Sequence, residues 1–137
     1  MKLSSLQVDP AAIEAGQWVD NIPELEDLAL KVRGVENEAW KRRRAALLKA
    51  IPRNRRRDGT LSIEDSDRIS ATLLLDTCLL DWKGIEDETG AAIPYSKEMA
   101  HDLLFKPENR KFRDAVLFAA SLVGEQAAED EKADLGN

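Results

Sequence analysis

The chain has 137 residues and a mass of 15.3 kDa, with 43% hydrophobic and 34% charged residues. That is the size of one domain with a modest core, and the apolar content excludes a wholly disordered chain. No apolar run reaches the roughly 20 residues that span a bilayer. The N-terminus, M-K-L-S-S-L-Q-V-D-P, lacks the continuous apolar stretch of a secretory leader. The single cysteine, Cys78, has no partner for a disulfide within the chain. These features predict a cytoplasmic protein that crosses no membrane.

The net charge of −6 conceals segregation. Nine basic residues and no acidic one lie between Lys41 and Arg57, leaving 11 basic and 26 acidic residues elsewhere. A basic patch on an acidic body suits an acidic protein partner, nucleic acid or a second copy of the chain.

In chain order, residues 16–20 and 28–33 read as two short strands. Trp18-Val19 follows Gly16, and Leu28, Leu30 and Val32 alternate with polar or small residues. An antiparallel pair of this length is marginal alone and must lie on helices. Residues 36–51 form a first helix, with Asn37 as cap, Trp40, Leu47, Leu48 and Ile51 on one stripe, and Pro52 at its exit. The stems of Arg43 and Arg44 fall on the same stripe and cover apolar surface. Arg53-Asn54-Arg55-Arg56-Arg57-Asp58-Gly59 reads as a mobile basic loop closed by an Asp-Gly turn.

Ser62 caps a second helix, with Glu64 and Asp65 favoured in its first turn, and the apolar pattern carries it to about Leu80. From Ile69 to Leu80 it is apolar well beyond one stripe, which places it in the core or against another chain; Asp76 interrupts it and needs a partner. Residues 81–96 form a connector in which Asp87-Glu88-Thr89-Gly90 turns the chain between Ile85 and Ile93, a small hairpin. A calcium loop fails here: with Gly90 at the sixth position, Ile85 falls where an oxygen ligand is required. Ser96 caps a third helix to about Phe105, and Pro107 opens a fourth that Gly124 ends. The expected fold is mainly α within an α+β class: about four helices in a small bundle, with an N-terminal hairpin and the central connector. Residues 1–124 form one globular domain, and 125–137 an acidic disordered tail.

Chemistry finds little purchase. Cys78 reads as a small buried hydrophobe, and His101, the only histidine, as a surface residue. One histidine and one cysteine support neither a zinc cluster nor a nucleophilic dyad, and no phosphate-cradling glycine loop is present. The expectation is a non-enzymatic protein without cofactor or metal. Its partner-binding residues are expected to be Trp40, Arg42, Arg43, Arg44, Arg53, Arg55, Arg56, Arg57 and Trp82.

Four stretches carry a family resemblance: G-Q-W-V-D-N-I-P (Gly16 to Pro23), L-K-V-R-G (Leu30 to Gly34), W-K-G-I-E-D-E-T-G-A-A-I-P-Y-S-K-E-M-A (Trp82 to Ala100) and L-L-F-K-P-E-N-R-K-F-R-D-A-V-L-F-A-A (Leu103 to Ala120). Through them the chain, over about residues 1–125, resembles the tail assembly chaperones of long-tailed bacteriophages and prophages. The resemblance implies a helper absent from the finished virion that binds the tape-measure protein and recruits tail-tube subunits. For some such proteins it also implies self-association in the bacterial host cytoplasm, and for many a longer frameshifted product; it assigns no residue a role. The density of arginine from Arg42 to Arg57 departs from the pattern and supports the alternative, a nucleic-acid-binding or regulatory phage protein using the Lys41–Arg57 patch.

Overall fold

A computed structural model describes residues 1–56 and 59–126. The strand at its centre is Ala29–Val32 (β2), whose alternation buries Leu30 and Val32 completely and leaves Ala29 and Lys31 half-buried. Gln17–Val19 (β1) pairs with it antiparallel, Trp18 opposite Lys31 and Val19 opposite Leu30. The strand pair expected from the sequence is therefore present.

A third strand, Leu79–Lys83 (β3), pairs with the other side of β2 and sets Trp82 opposite Leu30. The helix expected from Ser62 to about Leu80 is thus too long. Helix α3 ends at Leu73 (Ile63–Leu73), one π-helical turn spans Leu74–Cys78, and the chain continues as β3. One local bond and two distant donors accompany the break. The Thr77 hydroxyl donates back to the Leu73 carbonyl at 2.7 Å, a bond that competes with regular helix. The carbonyls left over at the helix end are taken from outside: Thr77 O accepts from Asn37 Nδ2 at 2.9 Å, and Cys78 O from the Arg33 N–H at 2.8 Å. Nearly all of the Ile69–Leu80 apolar surplus is buried, leaving only Leu80 notably exposed at 37%.

The remaining helices are Pro10–Ala15 (α1), Glu38–Lys49 (α2), Lys97–Phe105 (α4) and Arg110–Glu125 (α5). The short α1 was not expected, although Asp9-Pro10 is its start signal: Asp9 Oδ1 accepts from the N–H groups of Ala11 and Ala12, and proline stands in the first turn. Three expected caps are in place. Asn37 accepts from Trp40 N at 2.8 Å, Ser62 from Asp65 N at 3.1 Å, and Ser96 from Met99 N at 3.1 Å. Pro107 opens a 3₁₀ turn, Pro107–Asn109, rather than α5 itself. The class is α+β and mostly helical, with five α-helices and one three-stranded antiparallel sheet among the described residues.

The connector after β3 is the expected small hairpin. Glu86 bridges to Ala92, Ile93 N–H reaches Ile85 O at 2.8 Å, and Asp87 Oδ1 collects the Thr89 hydroxyl and the N–H groups of Thr89 and Ala91. Those donors hold the Asp87 carboxyl below its ordinary range. Gly84, at the entry, has φ +92°, and a Cβ there would lie 1.8 Å from the Asp27 carbonyl oxygen. Only glycine fits.

One apolar cluster runs from Val19 through β2, β3 and α4 to Val123, and a smaller one of Ile51, Ile69 and Leu73 lies under α2. Gly124 does not stop α5; it permits close packing, since a Cβ there would meet Val35 Cγ2 at 3.1 Å. Glu125 is the last residue of α5, and Gln126 O accepts from Asp9 N at 3.0 Å while its side chain bonds the Gln17 amide. Residues 127–137, read from composition as a disordered tail, lie outside the described residues.

Candidate functional site

Three elements meet beside Trp40. Helix α2 lies on α3 through the small cluster of Ile51, Ile69 and Leu73, against which Trp40, Leu47, Leu48 and Leu61 pack half-buried. Leu117 of α5, 43% exposed, closes the third side. Between them is a groove of about 210 Å³ with Leu48, Leu61, Leu73 and Leu74 among its lining residues. The Arg44 guanidinium stands at its rim, 5.8 Å from the centre of the Trp40 ring, close enough for a cation–π contact. The site is a mainly apolar slot with a positive edge, with Ser66 and Ser70 also among its lining residues.

The sequence-predicted arginines do not form one surface. Arg42 is exposed and lies about 200° round the helix from Trp40. Arg43 pairs with Asp76 at 3.3 Å, and Lys97 meets the same carboxylate at 3.4 Å, so the interrupting Asp76 has its partners. Arg53 is exposed. Arg55 reaches the buried Asp65 at 2.8 Å, beside Arg68 at 3.2 Å. The bond from Arg68 holds the Asp65 carboxyl below its ordinary range, against the opposing effect of burial and with help from Arg55. Arg56 donates to the Leu48 carbonyl. Arg53–Arg55 form a 3₁₀ turn, and the side chains of Arg55 and Arg56 bond α3 and α2, the first because a buried carboxylate demands cations. Arg57 lies outside the described residues.

Trp82 is 4% exposed and gives no surface to a partner as the fold stands. Its indole N–H donates to Ile93 O at 2.8 Å, and its ring packs edge-to-face on Tyr95 and Phe112, with centroids 5.1 and 5.7 Å away. It pins the connector hairpin to the core. Of the eight predicted residues that are described, Trp40 and Arg44 line the groove.

Sequence reasoning passed over Leu117, Phe118 and Leu122, exposed on α5 at 43%, 41% and 47%. The signal was present: the inward set Phe112, Ala115, Val116, Ala119 and Val123 already completes one helical stripe, which leaves these three outside it.

Cys78 is fully buried, and burial pushes its thiol up to about 11. His101 is exposed and stacks on Phe105 with centroids 4.3 Å apart. Among the described residues, no group of three or more His, Cys, Asp or Glu side chains is placed to hold a metal ion, and no helix is long and apolar enough to cross a membrane.

No curated protein and no solved structure matches the chain. One protein-family model does, over residues 35–137, a span that takes in α2, α3, β3, α4, α5 and thus the whole Trp40 groove. By that match, which covers well over half its length, the chain belongs to the YdaY prophage protein family.

Proposed function

We propose that this prophage protein is a non-enzymatic tail assembly chaperone that binds the tape-measure protein while the tail is being built and is absent from the mature virion. The observation that carries the reading is the Trp40 groove. It is a mainly apolar slot left open beside Leu117, with Arg44 at its edge. A groove of that kind suits the apolar stripe of an amphipathic helix with an acidic residue at its border. An isolated tape-measure chain, long and helical, presents such stripes until tube subunits cover them. Contacts that are individually weak and repeated along the client hold it firmly, yet each remains displaceable by a tail-tube subunit.

The nucleic-acid reading has less support. Arg43, Arg55 and Arg56 spend their guanidinium groups on partners within the fold, so fewer cations face outward than the run from Lys41 to Arg57 suggests. The test is co-expression with the tape-measure protein encoded in the same prophage. That protein is expected to move from pellet to supernatant and to co-purify with the chain. A tape measure that stays insoluble, with no tail protein retained, would exclude the chaperone role.

A further inference from the structure

The Trp40 groove uses one side of α3, and the other side of the same helix lines a larger cleft. This cleft, of about 500 Å³, lies between α3 and the corner where α4 gives way to α5. Its floor is apolar, with Ala71 and Leu104 at 2% and 1% exposure and Phe105 half-buried. Its rims differ in charge. Lys106, Arg110 and Arg113 stand on the α4–α5 corner, while Glu64 and Asp67 stand on α3. Arg68 is on the α3 side too, but its guanidinium is drawn to Asp65 at 3.2 Å.

The corner cations are loosely engaged. Lys106 is 3.9 Å from Asp102, Arg110 is 3.8 Å from Asp114, and Arg113 reaches across the cleft to Asp67 at 4.0 Å. Ion pairs this long near solvent contribute little, so a carboxylate from outside can replace them without much loss. A polyphosphate chain suits this cleft poorly, because the Glu64–Asp67 rim repels it and the apolar floor offers it nothing. An amphipathic helix suits it well. Apolar side chains at i, i+3, i+4 and i+7 would meet the floor, an acidic flank the α4–α5 corner, and a basic flank Glu64 and Asp67.

We infer that this cleft is a second docking groove, which takes an amphipathic helix of a partner protein bearing acidic residues on one flank and basic residues on the other. The opposed rims also set the direction of that helix. Turning it end for end, with its apolar face still on the floor, exchanges its flanks and sets like charge against like. This docking does not require the partner to be a tape-measure protein.

The test uses the full chain, isotope-labelled for NMR, and three synthetic 18-residue helical peptides. All carry one leucine face; the flanks are Glu and Lys, Glu on both sides, or Lys on both sides. The mixed peptide is expected to shift the amides of Leu104 and Phe105 and to bind at least tenfold more tightly than either uniform one. A spin label at its N-terminus should broaden one end of the cleft, and exchanging its two flanks should move the broadening to the other end. The double variant Arg110→Gln, Arg113→Gln should weaken binding at least tenfold with an unchanged melting temperature, whereas Leu117→Glu in the Trp40 groove should leave it unaltered. Equal binding of the uniform peptides, tighter binding of a single-stranded oligonucleotide through the same residues, or shifts confined to other surfaces would each overturn the proposal. Peptide binding without tape-measure binding would leave this groove standing and remove only the chaperone reading.

Discussion

Asn37 is fully buried and makes three hydrogen bonds that join α2 to two other parts of the chain. Its Oδ1 accepts from Trp40 N at 2.8 Å, and its Nδ2 donates to the carbonyls of Gly34 and Thr77, each at 2.9 Å. Replacement by alanine removes the cap, worth about 1 kcal/mol, and strands the Thr77 carbonyl at about 1–3 kcal/mol, while Gly34 O keeps the Asn37 N–H at 3.3 Å, so the loss should be roughly 2–4 kcal/mol. Asn37→Asp keeps the acceptor but turns the donor into a second oxygen facing two carbonyls. At pH 7 it should be at least as destabilising as alanine. Its carboxyl, disfavoured as an anion in the fold, would have a raised pKa, so its deficit should shrink as the pH falls and the carboxyl protonates. Urea unfolding followed by tryptophan fluorescence reads both variants. An alanine variant within about 1 kcal/mol of the parent, or an aspartate variant as stable as the parent at pH 7, would refute the assignment of these bonds.

Other consequences follow from single contacts. Trp82→Ala empties a buried aromatic site and should lower stability by roughly 3–5 kcal/mol, measured by urea titration; an unchanged midpoint would mean that the ring is not packed as described. Gly84→Ala combines a positive φ with a Cβ driven into the Asp27 carbonyl and should destabilise by roughly 2–6 kcal/mol in the same assay, with an unaffected protein as the contrary result. Asp65 has a folded pKa below its ordinary value of 3.8. Its contribution is therefore fully present above 3.8 and is lost as the pH falls through the lower folded value. Thermal melts of Asp65→Asn should lie below the parent at pH 7 and converge with it under strong acid, and a constant gap would contradict the ion pairs from Arg55 and Arg68.

Much of this fold could be read from residue types. The three caps at Asn37, Ser62 and Ser96 were legible because a side-chain oxygen before an apolar-periodic run has one good use. The β1–β2 pair and the Gly90 hairpin were legible from alternation and turn chemistry. The end of α3 was not, because a segment apolar on every side has no period to lose when it passes from helix to strand. The local Thr77 hydroxyl bond is completed by long-range partners: the Asn37 amide and the Arg33 N–H, 40 and 45 residues upstream, meet the Thr77 and Cys78 carbonyls. The arginines show the same limit. Composition marks a basic patch, but only the burial of Asp65 and the position of Asp76 decide that Arg55 and Arg43 turn inward. Trp40 and Arg44 were found as site residues because they share one helix face, whereas Leu117 comes to the groove from a helix some seventy residues away in sequence.

The Trp40 groove as the client site is tested most directly by the affinity of the purified chain for the tape-measure protein, measured for the parent and for Leu117→Glu. A glutamate at that half-exposed position can point to solvent in the free protein, so the melting temperature should hold. In the complex it would bury a charge against the client's apolar stripe, and affinity should fall at least tenfold. Undiminished binding by Leu117→Glu, or no binding by the parent, would contradict the account.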